Sequence, residues 1–181
     1  VSSLDALSGG RVILGIGAGW LAEESAMVGA PFAERGAMTD EYLAAMQELW
    51  TSASPAFSGK YTQFNHLKFE PKPVQKPHPP IWVGGHAPAS LRRAAAIGAA
   101  WHPINLPVAE IETSRAELAR LSAARGRGLP PAITLRNDVR VLEAGEAAPP
   151  PLHGGRVLAG EPGALAEQIR ALHAAGVEHL V

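Results

Sequence analysis

One stretch of the chain, Pro79 to Pro103, most constrains the fold, because it has the pattern of a complete strand, turn, helix and strand. The first strand is the apolar run 81–83, whose continuous hydrophobicity is typical of a buried strand in a parallel sheet. Pro88 suits the first position of a helix, where its missing N–H costs nothing. A second buried strand, 99–102, follows directly. The two strands are therefore predicted to lie parallel, joined by a right-handed crossover.

The turn between the first strand and the helix, Gly84 to Ala87, is a candidate anion-binding site. Its two glycines let an anion approach bare backbone N–H groups, and the helix N-terminus adds partial positive charge. Arg92 and Arg93 follow one turn into the helix. The alternative is a tight connection with no ligand, because Gly-Gly dipeptides commonly mark turns.

The rest of the chain also alternates strands with helices. A long proline-rich segment lies between the helix predicted to begin at Thr39 and the strand at 81–83. In this segment Ser58-Gly59 predicts a tight turn or hairpin. The stretch 144–155, rich in proline and glycine, is predicted to be a loop. Further helices are predicted to begin at the N-cap Thr39, at Pro107 and at Pro162, and further strands to lie at 11–17, 133–141 and 177–181.

Three common functional motifs are not matched by this sequence. Gly15, Gly17 and Gly19 suggest a dinucleotide fingerprint, but that fingerprint requires glycine where Trp20 stands. No Gly-Lys-Ser or Gly-Lys-Thr of a phosphate-binding P-loop occurs. None of the seven histidines pair at a metal-ligand spacing such as His-x-x-x-His, so no metal site is predicted.

The composition is that of an ordinary globular chain, with 46% hydrophobic and 18% charged residues. A net charge of −1 without long runs of like charge argues against nucleic acid or an anionic membrane as a partner. No apolar run approaches the roughly 18 residues of a membrane span, and no signal-peptide pattern opens the chain. Cysteine is absent, which is compatible with the cytoplasm, the location that we expect.

Four blocks along the chain carry a family resemblance. They are LDALSGGRVILGIGAGW at 4–20, APFAERGAMTDEYLAAMQELW at 30–50, FSGKY at 57–61 and PKPVQKPHPPIWVGG at 71–85. In their order and spacing these blocks resemble the bacterial-luciferase-like monooxygenase family, which includes FMN-dependent oxygenases and enzymes that use the deazaflavin F420. The GAGW block is more similar to the F420-associated branch.

The resemblance implies an α/β fold, a (β/α)8 TIM barrel. Such a barrel typically needs about 250 residues, whereas this chain has 181 and shows five strands. We therefore interpret residues 1–181 as a single luciferase-like barrel domain that holds strands four to eight with their outer helices, truncated at the N-terminus and at the C-terminus. In the strand at 133–141, alternation places Asn137 on the apolar face, as either a satisfied core amide or a polar group at the barrel mouth.

The same resemblance implies a cofactor site. Small residues at the end of strand four would let the isoalloxazine-type ring lie close to the backbone, and the Gly-Gly turn would hold the cofactor phosphate. Residues at the carboxyl ends of barrel strands face the active site. The implied cofactor-binding residues are Ala18, Gly19, Gly84, Gly85, His86 and Ala87, and the candidates for the substrate or active face are Trp20 and His102.

Several side chains can be interpreted as either structural or functional. Most lone histidines are structural or solvated, so His86 and His102 are either that or functional groups on the active face. Glu23 and Glu24 are either acid–base candidates or partners of a helix dipole. The aromatic residues of the long proline-rich segment are either substrate walls or packing groups; they are Phe57, Tyr61 and Phe64.

The function implied by the resemblance is that of an oxidoreductase. It would carry out hydride or oxygen transfer on a small organic substrate with F420 or reduced FMN, as a homo-oligomer in its full-length form. No catalytic residue is assigned, because the family's acid–base histidine and an acidic cofactor contact precede the present chain, and Trp20 stands where some members have a catalytic glutamate. The alternative is a non-catalytic relic or subunit of the same barrel family.

Overall fold

The computed structural model describes residues 1–148, 150 and 157–181. These residues form two compact units, Val1–Ile81 and Trp82–Val181. Most of the proline- and glycine-rich part of the loop predicted at 144–155 lies outside the described residues. The prediction of one truncated barrel domain over the whole chain stays a prediction.

The first unit is mainly helical, with three short strands. Its elements are α1 (Ser2–Ser8), β1 (Leu14–Ile16), α2 (Ala22–Met27), a 3-10 turn (Phe32–Glu34), α3 (Arg35–Thr51), β2 (Phe57–Ser58) and β3 (Gln63–Phe64). Helix α1 ends at Gly9, whose φ of 65° is the left-handed conformation that glycine adopts readily at a helix C-terminus. Strands β2 and β3 pair antiparallel, which confirms the hairpin predicted at Ser58-Gly59.

Helix α3 begins four residues before the predicted N-cap, so the assignment of Thr39 as a cap is wrong. The 3-10 turn runs directly into Arg35, and the helix therefore starts before the first residue that resembles a cap. The Thr39 hydroxyl donates a hydrogen bond of 2.7 Å back to the Arg35 carbonyl. A threonine inside a helix commonly makes this bond to the carbonyl four residues earlier. An N-cap threonine would instead accept a hydrogen bond from a backbone N–H.

A buried carboxylate ties the start of the first unit to its proline-rich segment. Asp5 is fully buried in α1 and accepts hydrogen bonds from the backbone N–H of Gln75 at 3.0 Å and from its amide Nε2 at 2.7 Å. The same Nε2 donates to the Val12 carbonyl at 2.7 Å. Because a buried charge without partners is costly, these bonds make Asp5 a fixed structural contact.

The second unit alternates strands with helices along the chain. Its elements are β4 (Ile81–Gly84), which begins at the last residue of the first unit, α4 (Pro88–Ile97), β5 (Ala100–His102), α5 (Val108–Ala123), β6 (Ala132–Leu135), β7 (Val139–Val141), β8 (Leu158–Gly160), α6 (Pro162–Ala174) and β9 (Val177–Leu180). Strands β4, β5, β6 and β9 are neighbours in that order, and all three pairings are parallel. The alternation and the parallel pairing confirm the predicted α/β class.

One face of this sheet forms the core of the second unit. Val83, Trp101 and Ile133 alternate with residues of the opposite face and are at most 3% exposed. The helix α4 begins at Pro88, as predicted, and packs against α5. The apolar run 81–83 is therefore a buried parallel strand because helices cover it, and its continuous hydrophobicity predicts that burial correctly.

The single strand predicted at 133–141 is wrong, because two separate strands occupy it. The chain leaves the main sheet after Leu135, and β7 pairs instead with β8 in a small parallel sheet. Val139 and Val141 are exposed, although alternation predicts them on the apolar face. Asn137 is buried between the two strands, and its side-chain amide donates to the Asp138 carbonyl at 3.0 Å.

Among the described residues, no helix combines the length and the apolar character that crossing a bilayer would require.

Candidate functional site

The loop that joins β4 to α4 combines a glycine turn with a helix start. Gly85 has a φ of +112°, a conformation that L side chains rarely adopt, and Ala87 is the extended N-cap residue before Pro88. The register of β4 with β5 pairs Gly84 with His102 and uses the N–H of Gly85 in the ladder, because Pro103 has no N–H to donate. In the described part of the chain, the backbone N–H groups of His86 and Ala87 donate no hydrogen bond. Two consecutive N–H groups, next to the positive end of a ten-residue helix, form a donor set that suits an anion.

The carbonyl of Gly85 is held by two side chains. The indole Nε1 of Trp101 donates to it at 2.9 Å. The hydroxyl of Ser90 lies 2.8 Å from it and shares its single proton between this carbonyl and that of Ala87, at 2.7 Å. The peptide bond between Gly85 and His86 is trans, so its C=O and N–H point in opposite directions. Because the carbonyl points toward Trp101 and Ser90, the N–H of His86 points in the opposite direction within the peptide plane, away from these two side chains.

His86 contributes to this loop through its backbone, while its ring makes a structural contact. The ring Nε2 accepts a hydrogen bond of 3.0 Å from the backbone N–H of Ile104. In the neutral imidazole the remaining proton is then on Nδ1, which is available as a donor. The side chain is exposed, so the ring can face solvent or a bound group.

His102 lies next to this loop, at the last residue of β5. It pairs in register with Gly84, so the structure brings His102 and the start of the loop together. Trp101 is almost fully buried, whereas His102 is half-buried, because consecutive strand residues face opposite sides of the sheet. Burial lowers the pKa of His102 below its usual range, and the positive charges of His179 and Arg136 lower it further.

The residues assigned to the cofactor ring lie in the first unit, directly after β1. Gly19 has a φ of +82°, and its carbonyl accepts a hydrogen bond of 3.3 Å from Nε of Arg35. Trp20 is 82% exposed. Ala18 precedes them in an irregular segment. The roles of these three residues, and of the loop residues 84–87, in holding a cofactor stay predictions.

The remaining candidates are the two glutamates after Trp20 and the aromatic residues of the hairpin, and the contacts described for them are structural. Glu23 and Glu24 are exposed in the first turn of α2, as partners of a helix dipole are. The rings of Phe57 and Phe64 stack across the hairpin with centroids 5.8 Å apart. Tyr61 donates its hydroxyl proton to Glu34. These contacts favour packing of the hairpin, and a role as substrate walls stays a prediction.

Comparison with known proteins decides the family. The model of the luciferase-like monooxygenase family matches residues 1–141. The chain belongs to this family. An FMNH2-dependent dimethylsulfone monooxygenase of Pseudomonas putida is 27% identical over 132 residues, which are 71% of this chain and 36% of that protein. Across several curated relatives this luciferase-like chain spans only 29% to 43% of their length.

Solved structures of luciferase-like proteins show the same fold. The coenzyme F420-dependent tetrahydromethanopterin reductase of Methanopyrus kandleri has a TM-score of 0.83 at 16% identity, covering 100% of this chain and 70% of that one. The oxygenating constituent of 3,6-diketocamphane monooxygenase from Pseudomonas putida, solved in complex with FMN, has a TM-score of 0.77 at 20% identity, covering 98% and 65%. These likenesses confirm the predicted fold class.

Sequence reasoning missed several residues that shape this luciferase-like site. Ser90 and Thr134 look like ordinary helix and strand residues, and their hydrogen bonds become visible only when the strands are placed side by side. His179 carries no signal in the sequence, although its ring lies 5.4 Å from that of Trp82. Glu41 resembles a first-turn acid but binds the hairpin instead. Only Ser90 carried a local signal, as a hydroxyl residue three positions after an N-cap.

Proposed function

We propose that this chain is part of a luciferase-like oxidoreductase that uses F420 or reduced FMN for hydride or oxygen transfer on a small organic substrate. The observation that carries the proposal is the pair of N–H groups at His86 and Ala87 that donate no hydrogen bond within the described residues, at the carboxyl end of a parallel strand. Functional groups in barrels of this kind collect at that end of the strands. The FMN complex and the F420-dependent enzymes among the similar structures support this class of cofactor.

The residues present fit a phosphate group. Backbone N–H groups bind phosphate oxygens by charge-assisted hydrogen bonds, each contributing about 1.5 to 3 kcal/mol. Gly85 adopts its positive φ without strain, and the loop carries no acidic side chain that would repel an anion. Trp101 and Ser90 keep the loop in this conformation before a ligand arrives, so little ordering is required on binding.

In this proposal the bound cofactor supplies the electron chemistry, and the chain supplies binding and orientation. The loop 84–87 holds the phosphate, and Ala18 and Gly19 leave room for the ring close to the backbone. Trp20 and His102 would face the substrate. We further propose that the protein acts in the cytoplasm and that its full-length form is a homo-oligomer.

Replacing Gly85 with Val tests the phosphate assignment. The probes are FMN and riboflavin, which share the ring and differ in the phosphate. We expect the parent chain to bind FMN at least about tenfold more tightly than riboflavin, since one charge-assisted bond accounts for that ratio. Gly85→Val should abolish the difference, because valine cannot adopt the φ of +112° without moving the loop.

Gly126→Val is the matched control for backbone strain. Gly126 also has a positive φ, +71°, and a Cβ there meets no atom within 4 Å. Circular dichroism checks that both variants fold. If Gly85→Val retains the parent's preference for FMN over riboflavin, the loop does not bind the phosphate. Tight cofactor binding without turnover by the full-length protein would instead favour the non-catalytic alternative.

A further inference from the structure

Four side chains meet on the face of the second unit's sheet that is opposite to its helices. They come from the four neighbouring strands: Trp82 from β4, His102 from β5, Thr134 from β6 and His179 from β9. The ring of Trp82 lies 5.3 Å from that of His102 and 5.4 Å from that of His179. Thr134 pairs in register with His179. The cluster is therefore a continuous row of aromatic, imidazole and hydroxyl groups across the sheet.

A chain of hydrogen bonds favours one tautomer of His102. Its ring Nδ1 lies 2.6 Å from the hydroxyl oxygen of Thr134, and that hydroxyl also bonds the Trp101 carbonyl at 3.4 Å. The carbonyl can only accept, so this longer bond exists only when the single proton of the buried Thr134 hydroxyl points to it. Both bonds form together only if Nδ1 of His102 carries a proton and donates it to Thr134. The Nε2 nitrogen is then left with a free lone pair.

Nothing in the described part of the chain donates a hydrogen bond to that Nε2 nitrogen. The charged or titratable groups that face the ring are His179 on β9 and Arg136, just after β6. Burial and these two groups lower the pKa of His102, so the ring stays neutral and its lone pair persists to a more acidic pH than in a free histidine. The same positive potential disfavours a cationic ammonium group as the donor.

We propose that Nε2 of His102 accepts a hydrogen bond from a neutral hydroxyl group of the substrate, with Thr134 as the positioning residue and the Trp82 ring beside the substrate's apolar part. This inference rests on the proposed function, because it places the substrate at the carboxyl end of β5, next to the phosphate loop. It narrows the substrate class to small organic molecules that carry a hydroxyl group.

Nitrogen NMR of the imidazole rings in the ¹⁵N-labelled chain tests the tautomer without any cofactor. The His102→Gln variant identifies the His102 signals by their loss. We expect the parent chain to show protonated Nδ1 and unprotonated Nε2. Thr134→Val, which keeps the shape but removes the acceptor, should lose the single tautomer, and Thr134→Ser should restore it. A parent chain in which Nε2 carries the proton would overturn the proposal, as would an unchanged tautomer in Thr134→Val.

Titration with cyclohexanol and with its methyl ether tests recognition of the hydroxyl group. The two probes have a similar apolar body, but only the alcohol donates a hydrogen bond. We expect cyclohexanol to move the Nε2 signal of His102 and the ether to leave it in place; equal shifts, or none with the alcohol, would contradict the assignment. The FMN and riboflavin comparison is independent of this result, so failure of the phosphate site and failure of the hydroxyl site are distinguishable.

Discussion

At the scale of single residues, the loop 84–87, which we propose binds phosphate, contacts an indole sixteen positions from Gly85 in sequence. The N–H of Trp101 and the hydroxyl of Ser90 converge on one carbonyl, that of Gly85, and so determine the direction of the next N–H group. Trp101 is almost fully buried, so its N–H has no water to bond with if the carbonyl is lost. The bond is therefore both a packing contact and a geometric constraint on the loop.

Replacing Trp101 with Phe should separate these two roles. Phenylalanine keeps most of the apolar contact but lacks the N–H, so we expect a loss of about 1 kcal/mol in the free energy of unfolding. We also expect the preference for FMN over riboflavin to fall several-fold, because the Gly85 carbonyl is held by Ser90 alone. Urea denaturation and the two dissociation constants measure these effects.

The control for this variant is Trp50→Phe, which alters a buried tryptophan of the first unit. It should lower stability without changing the ratio of the FMN and riboflavin dissociation constants. If both variants change that ratio equally, the indole of Trp101 has no specific influence on the loop.

The sequence predicts local features of residues better than it predicts their partners. The glycine turn at 84–85 and the first-position Pro88 are both correct, because each depends on the backbone preference of one residue. The bond from Trp101 to Gly85 and the bond between His102 and Thr134 depend on strand register. A one-residue change in register would turn each side chain to the other face, so neither bond can be derived from composition or spacing.

At the scale of elements, helix α4 ends under an arginine from a distant loop. The guanidinium of Arg127 donates to the carbonyls of Ala94 at 3.2 Å, Ala95 at 3.1 Å and Gly98 at 3.0 Å. The last carbonyls of a helix have no partner within it, and a cation there also interacts favourably with the helix dipole. Arg127 therefore caps the C-terminus of α4, the helix whose N-terminus follows the loop 84–87.

Replacing Arg127 with Lys should destabilise the second unit by about 1.5 to 3 kcal/mol, because a lysine ammonium cannot reproduce the planar fork that reaches three carbonyls. Thermal or urea denaturation measures the change. Arg120→Lys is the control, since Arg120 forms a surface ion pair with Glu117, and such pairs contribute about 1 kcal/mol or less. Equal effects of the two substitutions would show that Arg127 does not act as a cap.

The hairpin of the first unit is held to helix α3 by one carboxylate. Glu41 accepts hydrogen bonds from three consecutive backbone N–H groups, those of Lys60 at 2.8 Å, Tyr61 at 2.7 Å and Thr62 at 2.8 Å. Partial burial raises the pKa of this carboxyl, but the bonds from Tyr61, Thr62 and Lys60 together outweigh burial, and the pKa is lowered overall. The ionised form is therefore the one that stabilises the hairpin.

We expect the hairpin to lose this support in acid and on substitution of Glu41 by Gln. Because the folded pKa lies below the ordinary value of 4.5, the stabilisation is complete above about that pH and disappears as the pH falls through the folded pKa. Amide hydrogen exchange of Tyr61 and Thr62 should be slow at about pH 6 and fast in Glu41→Gln, whose amide places N–H groups against donors. Glu112→Gln, on the exposed surface of α5, should leave these rates unchanged.

Errors in the predicted elements have a common physical origin. The early start of α3 and the division of 133–141 into β6 and β7 both come from contacts beyond the local pattern. In the first case a 3-10 turn supplies the helix start before Thr39. In the second, β8 provides a parallel partner for Val139 and Val141 outside the main sheet, so their alternation does not reflect burial.

At the scale of the whole molecule, the sequence predicts the order of the strands and helices correctly. It does not predict how a barrel closes. Strands occur at all five predicted places: β1, β4, β5, β6 and β9. Their alternation with helices follows from hydrophobic patterns that repeat along the sequence. A closed barrel of the kind that the family resemblance implies has eight strands, whereas the described residues fill the five positions above. The chain as given should therefore behave differently from a full barrel in solution.

We predict that the 181-residue chain associates with itself through apolar surface of its first unit. Trp20, Met27 and Val28 are 82%, 86% and 79% exposed within one short segment, and clustered exposed apolar side chains are typical of surfaces that another chain covers. Light scattering during gel filtration should give a mass above that of one chain, and replacing Met27 and Val28 together with Ser should reduce it. Leu129→Ser is the control, because Leu129 is equally exposed, at 81%, but lies in a turn of the second unit. A stable monomer that binds FMN or F420 tightly and turns over substrate would contradict the view that five strands need further elements for function.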